Sequence, residues 1–166
     1  MIKQTGFIEL VGTDEQVDQD EWGASVQVPF APESQSICIP ALILRQGFDG
    51  SATGASLSIG GFVVFFFGDP SIAVGTGVGA LTRAQLNKIV GWFDIAAQGA
   101  DWQNWRAAGA ADDADIAFLQ SEDDRIQVPR MAGEDLYAAL LLTSATSINS
   151  AAGDDEDVYM KVIYET

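Results

Sequence analysis

Histidine is absent from the 166 residues, and that alone removes much of the chemistry a chain can do. It takes away the commonest general base near neutral pH and the commonest metal ligand. A Ser-His-Asp triad or a zinc protease motif cannot be built from this chain. The single cysteine, Cys38, cannot form an intrachain disulfide, and no imidazole is present to activate it as a nucleophile. It sits in the apolar run Ile37-Cys38-Ile39 and reads as a small buried hydrophobe. Gly75-Thr76-Gly77-Val78-Gly79 is dense in glycine but lacks the G-x-G-x-x-G spacing of a dinucleotide loop, so it reads as a connection. Carboxylate is what remains: 24 acidic residues against 8 basic ones, a formal net charge of −16. Two carboxylates can hydrolyse a glycoside, but Glu134-Asp135, in a turn, reads as a solvated acidic cap. No enzyme activity is expected.

Oxygen ligands suit calcium. The local clusters are Asp112-Asp113-Ala114-Asp115 and Asp154-Asp155-Glu156-Asp157. Neither has the alternating ligands, central glycine and distal glutamate of an EF-hand. Asp112, Asp113, Asp115, Asp154, Asp155 and Asp157 are therefore weak candidates for Ca²⁺ or other cations, and each cluster reads first as a solvated charge run. No cofactor is expected. Aromatic residues form the other contact set. Trp92 and Phe93 read as core. Trp102 and Trp105 are three apart and would share a face on a helix, where they would pin that helix or anchor a neighbouring subunit. Exposed, they would stack on sugars. Phe65, Phe66 and Phe67 are consecutive, so a strand there is apolar on both faces and needs cover on both. A helix beginning at Thr82, or another protein chain, would provide it. Phe65, Phe67, Trp102 and Trp105 are the interface candidates.

The elements that position these residues are mostly short strands between turns. Thr5 to Val11, Trp22 to Phe30, Ser36 to Leu44, Ala55 to Ile59, Gly61 to Phe67, Asp124 to Val128, Leu136 to Ser144 and Val158 to Tyr164 carry alternating or continuous apolar patterns. One segment departs from them. Over 82–98, Leu86, Ile89, Val90, Phe93 and Ala97 recur at spacings of three and four, which predicts an amphipathic helix. Thr82 and Gln85 fit a capping box, Leu81 a staple and Gly99 a stop. Gly91 in mid-helix implies a packing reason. A helical excursion is expected over about 75–120. The expectation is all-β: a single domain over 1–166, a two-sheet β-sandwich with this helix inserted, and among sandwiches a jelly roll.

Half the composition, 48%, is hydrophobic, which a disordered acidic tail would lack. The most apolar stretch, Phe62 to Phe67, is far short of the roughly 20 residues a spanning helix needs, and no signal peptide is visible at the start. The chain reads as soluble. Scarce lysine and arginine argue against direct binding to nucleic-acid phosphates. A heavily carboxylated surface repels itself unless salt screens it, and this composition resembles that of proteins from halophilic archaea and their viruses.

The passage Arg125-Ile126-Gln127-Val128-Pro129, then Gly133 to Leu140, then Asp157 to Val162 resembles the last strands of viral single jelly-roll capsid proteins. In that family a short strand ends in a Val-Pro-x-x-Gly turn, an apolar strand follows, and a last strand comes after a loop. The resemblance implies a virion structural protein, located in the particle, that assembles with copies of itself or with other capsid or tail proteins. The alternative is a carbohydrate-binding or host-adhesion sandwich module.

Overall fold

A period of two governs the chain. Along Val158–Glu165, buried and half-buried residues alternate at every position, which is what a strand does when only one face meets a core. The computed structural model describes residues 1–30, 36–47, 59–96, 102–106, 113–121, 126–129, 135–144, 147–150 and 156–166. These residues form strands β1 (Ile2–Gln4), β2 (Ile8–Val11), β3 (Glu21–Trp22), β4 (Val26–Gln27), β5 (Ser36–Gln46), β6 (Gly61–Phe67), β7 (Thr76–Gly77), β8 (Ile89–Ile95), β9 (Trp102–Arg106), β10 (Asp113–Gln120), β11 (Ile126–Pro129), β12 (Leu136–Leu142) and β13 (Val158–Glu165).

The strands make two sheets. The first runs β1–β13–β5–β10–β9, with β2 also on β13 and β11 also on β5. The second runs β7–β3–β12–β6–β8, with β4 also on β12. Every pairing is antiparallel. The inner faces of both sheets enclose one apolar core that includes Leu42, Leu44, Val63, Phe65, Phe93, Leu140, Met160 and Val162.

Strand β5 has a proline at its middle, which a central strand normally excludes because it lacks a donor. Pro40 falls where the ladder changes partner: β10 pairs with Ala41 to Gln46 and β11 with Ser36 to Ile39. The register against β13 also slips there, Ile163 facing Ala41 and Glu165 facing Cys38. This bulge flips the alternation, so Ile37 and Ile39 point inward before it and Leu42 and Leu44 after it. Cys38 consequently lies half-buried rather than in the core.

The long amphipathic helix does not form. Thr82 opens an α-helix of four residues, Arg83–Leu86, with the expected capping box in place, and the chain then extends into β8. Phe93 and Ile95 alternate inward with period two, and a register shift against β6 puts Val90 on the inner core and Ile89 on the outer cluster. Ile89, Val90 and Ile95 are β-branched, and Trp92 and Phe93 are aromatic; both types favour strands. Gly91 does have a packing reason, in the strand: a Cβ there would come within 2.8 Å of the Ile126 side chain, where β8 approaches β11 of the other sheet. Trp102–Arg106, within the expected helical excursion, is the strand β9.

Candidate interaction surface

Three phenylalanines in a row force β6 to be apolar on both sides, and the chain itself covers both. Phe65 is fully buried in the inner core, edge-on to Phe93 at 6.0 Å. Phe67 is partly buried against the same core. Phe66 points the other way, into a second cluster with Trp22, Val64, Ile72, Ala139 and Leu141. The lid over that cluster is the segment between β6 and β8. Ile72 and Leu81 pack down from it, and hydrogen bonds tie it to the sheet. Ser25 and Ile72 bond through their backbones at 3.0 Å, the Ser25 hydroxyl accepts from Ile72 N–H at 3.1 Å, and Gly75 N–H donates to Trp22 C=O at 2.9 Å. Gln85 Nε2 donates to Pro70 C=O at 2.8 Å.

The tryptophans sort differently from the sequence expectation. Trp102 is buried, and its indole N–H donates to Ile59 C=O at 3.0 Å. Trp105 lies on β9 in register with Ala114 of β10. The segment is a strand, so the shared helical face argued for the pair does not exist. Trp92, read as core, is 59% exposed at the outer side of β8. Strand alternation would have shown this, since Phe93 and Ile95 point inward and Trp92 and Asp94 therefore point out.

Among the acidic candidates, Asp112, Asp154 and Asp155 lie outside the described residues. Asp113 begins β10. Asp115 is buried, in register with Gln46 of β5 and Asn104 of β9. Asp157 is also buried; its Oδ2 accepts from the Thr13 hydroxyl at 3.0 Å and the Tyr159 hydroxyl at 3.3 Å. Among the described residues, no group of three or more acidic or cysteine side chains is placed to hold a metal ion.

The 12–21 loop is a separate acidic feature. Its backbone is fixed by Asn149, whose Nδ2 donates to the carbonyls of Gly12 and Glu15 at 2.9 and 3.1 Å. Glu15 Oε2 accepts from Gly12 N–H, and Glu21 Oε2 from Asp18 N–H, both at 2.9 Å. Asp14 and Asp20 project into solvent. Hydrogen bonds from Gln16 and then Ser147 hold the Asp18 carboxyl below its ordinary pKa.

A different surface emerges on the outer face of the first sheet. The register lines up Tyr159, Arg45 and Ile116 in one row, Lys161, Ile43 and Phe118 in the next, and Ile163, Ala41 and Gln120 in a third. The Arg45 guanidinium lies 4.6 Å from the ring centres of both Phe7 and Tyr159, and Lys161 Nζ lies 4.6 Å from that of Phe7. Phe118 is 50% exposed and Phe7 40%. Partial burial, then the hydrogen bond to Glu9 and the charges of Asp157 and Glu9, push the Tyr159 hydroxyl up to about 12. Sequence reasoning missed this face because its cations come one each from β5 and β13, 116 positions apart by residue number. Only the strand register brings them together.

At one end of the sandwich, Val28, Phe30, Ile37, Phe67, Val128 and Leu136 line a cavity of about 200 Å³. Ligand sites usually span about 300–1,000 Å³ with convergent polar groups, so the outer face of the first sheet is the stronger candidate. Compared with models of known protein families and with curated proteins, the chain matches none.

Proposed function

We propose that this protein is a structural component of a virus particle, a single jelly roll that works by assembling with copies of itself or with other particle proteins. The observation that carries the reading is the strand order. With β3/β4 and β10/β11 each taken together and the edge strands β1, β7 and β9 set aside, the order along the chain is β2, β3/β4, β5, β6, β8, β10/β11, β12, β13. The first sheet takes the first, eighth, third and sixth of these, and the second takes the second, seventh, fourth and fifth. Two Greek keys wound together would give this order, which supports a jelly roll. Jelly rolls also build lectins and cupins, and fold alone does not give function. The half-exposed apolar outer face of the first sheet favours the assembling role over a soluble binding module.

In this reading the protein is not an enzyme, resides in the virion and works at high salt. Mass spectrometry of purified particles tests it: a shell protein is present in hundreds of copies per particle, and its absence from particles would end the proposal. A second reading has one observation in its favour. Trp92 is exposed beside Asp94, also exposed, on the rim of the second sheet, and an aromatic ring flanked by a carboxylate suits a sugar. A glycan array with wild-type and Trp92→Ala protein decides this: binding lost with the ring supports host adhesion.

A further inference from the structure

We propose that residues 68–88, the lid between β6 and β8, form a strap with a hinge and a latch, and that the strap opens as one unit while both sheets stay folded. Nothing in this depends on how copies assemble. The hinge is at the base, where Phe67 N–H donates to Lys88 C=O and Gly68 N–H to Asp135 C=O, each at 2.8 Å, and Lys88 Nζ donates to Asp69 C=O. The latch is at the far edge of the sheet. Beyond its base, the lid's hydrogen bonds to the sheet among the described residues all reach one stretch, Asp20 to Ser25. Ile72 N–H donates to the Ser25 hydroxyl, Gly75 N–H to Trp22 C=O and Val78 N–H to Asp20 C=O, at 3.1, 2.9 and 2.8 Å. There β7 pairs with β3 over two residues. The strap's grip on β6 and β12, which it crosses, is apolar and comes from Ile72 and Leu81. Pro70 and Ile72 are its only buried residues.

The latch closes at a cost. Three non-glycine residues among those described have left-handed backbones, and two of them, Ser71 (φ 52°) and Asp20 (φ 63°), flank the latch. Aspartate tolerates that region, whereas serine is strained in it. The Trp22 ring lies edge-on to Phe66 at 6.0 Å, yet its indole N–H is buried without a hydrogen-bond acceptor, and an unmet buried donor is costly. When the latch parts, Ser71 relaxes and water reaches the Trp22 N–H. Opposing this are the few latch bonds, for which water substitutes, and the burial of Ile72 and Leu81. Low local stability has this physical form: few buried apolar contacts, with backbone bonds at exposed positions. Opening uncovers an apolar sheet face that includes Trp22, Val64, Phe66 and Leu141, so the strap controls whether that face meets solvent.

The test is native-state hydrogen exchange on the whole chain at stepped low urea concentrations. The probes are the latch amides of Ile72, Gly75 and Val78, set against amides of the β6–β12 ladder. The three latch amides should share one opening free energy, lower than that of the ladder, and depend more weakly on urea, because a small opening exposes little surface. The Ser71 side chain is exposed, so Ser71→Gly removes the strain and little else. It should slow latch exchange by about threefold, the relieved strain less the freedom that glycine gains in the open strap. Ser25→Ala deletes the acceptor for Ile72 N–H and should hasten latch exchange by about as much. Thermal melts establish that each variant is folded. Latch amides that exchange only together with the ladder, or that give three unrelated opening energies, overturn the strap as a unit. Unchanged latch exchange in Ser71→Gly overturns the strained latch. Each of these results leaves the assembly reading standing.

Discussion

The outer faces of the two sheets are built from similar residues and finished differently. On the second sheet, Trp22, Val64, Phe66 and Leu141 lie beneath a folded-over segment that brings Ile72 and Leu81 with it. On the first, Ile43, Ile116, Ile163 and Phe118 keep part of their surface in water, with Arg45 and Lys161 among them. The cover on the second sheet adds stability to one chain. On the first, no described segment supplies such cover. An apolar sheet face that is sealed adds to the stability of the chain, and one left open keeps apolar area in water.

The largest effect should come from breaking the sealed side. Phe66 is fully buried, so Phe66→Ala should cost about 3–5 kcal/mol, read as a drop in the denaturant midpoint. Phe118→Ala on the open side should stay within about 0.5 kcal/mol for the isolated chain. Equal losses from the two substitutions would erase the distinction between the faces. Salt is the next lever. Carboxylate repulsion acts over the whole surface, so the melting temperature should climb as monovalent salt rises from about 0.1 M to molar levels. It should climb for Phe118→Ala as well. A flat or falling melting temperature would sink the high-salt interpretation.

The cover itself can be loosened more gently. The Thr82 side chain accepts from Gln85 N–H, and Gln85 Oε1 accepts from Thr82 N–H at 2.8 Å. Thr82→Ala should therefore cost about 1 kcal/mol, with hydrogen exchange rising first in residues 82–88. Uniform exchange across the molecule would mean that the lid does not open on its own. The smallest effect belongs to the open face. The Tyr159 hydroxyl is raised from its ordinary value of 10.0 to about 12, so the folded state holds that proton more tightly than the unfolded chain does. Its contribution to stability is complete below about pH 10 and is lost as pH climbs through about 12. The stability difference between wild type and Tyr159→Phe should shrink over that window and not below it, as read by unfolding midpoints at stepped pH.

Much of the all-β architecture was legible because alternation is a local signal: Val158 to Tyr164 and Leu136 to Leu142 announce themselves. The residues of β8 deceived because Ile89, Val90 and Phe93 keep the helical spacing, and only a register shift against β6 lets the strand pack Ile89 outward and Val90 and Phe93 inward. The choice was made by β-branching and by the place vacant beside β6, where Val63 pairs with Phe93. The need for cover over Phe66 was visible in three consecutive phenylalanines, but its source was not, because Ile72 and Leu81 lie in a stretch without periodicity. Cys38 looked buried because a bulge at Pro40 cannot be read from the residues on either side of it. The open face was the least legible. Its members are contributed by β2's approach, β5, β10 and β13, and their meeting depends on register alone.

The position of β13 also sets the order in which the molecule can be made. It lies between β1/β2 and β5 in the first sheet, so the opening strands have no partner there until residues 158–165 exist. Met1 and Thr166 meet across that final pairing, 3.2 Å from amino group to carbonyl. A ribosome must deliver residues 158–165 before the sheet can join its two halves, while β6 and β8, separated by the 21 residues of the lid, can pair earlier. Such long-range closure is slow. During the wait, the partially synthesised chain exposes unpaired strand edges, and its dense negative charge keeps nascent copies apart.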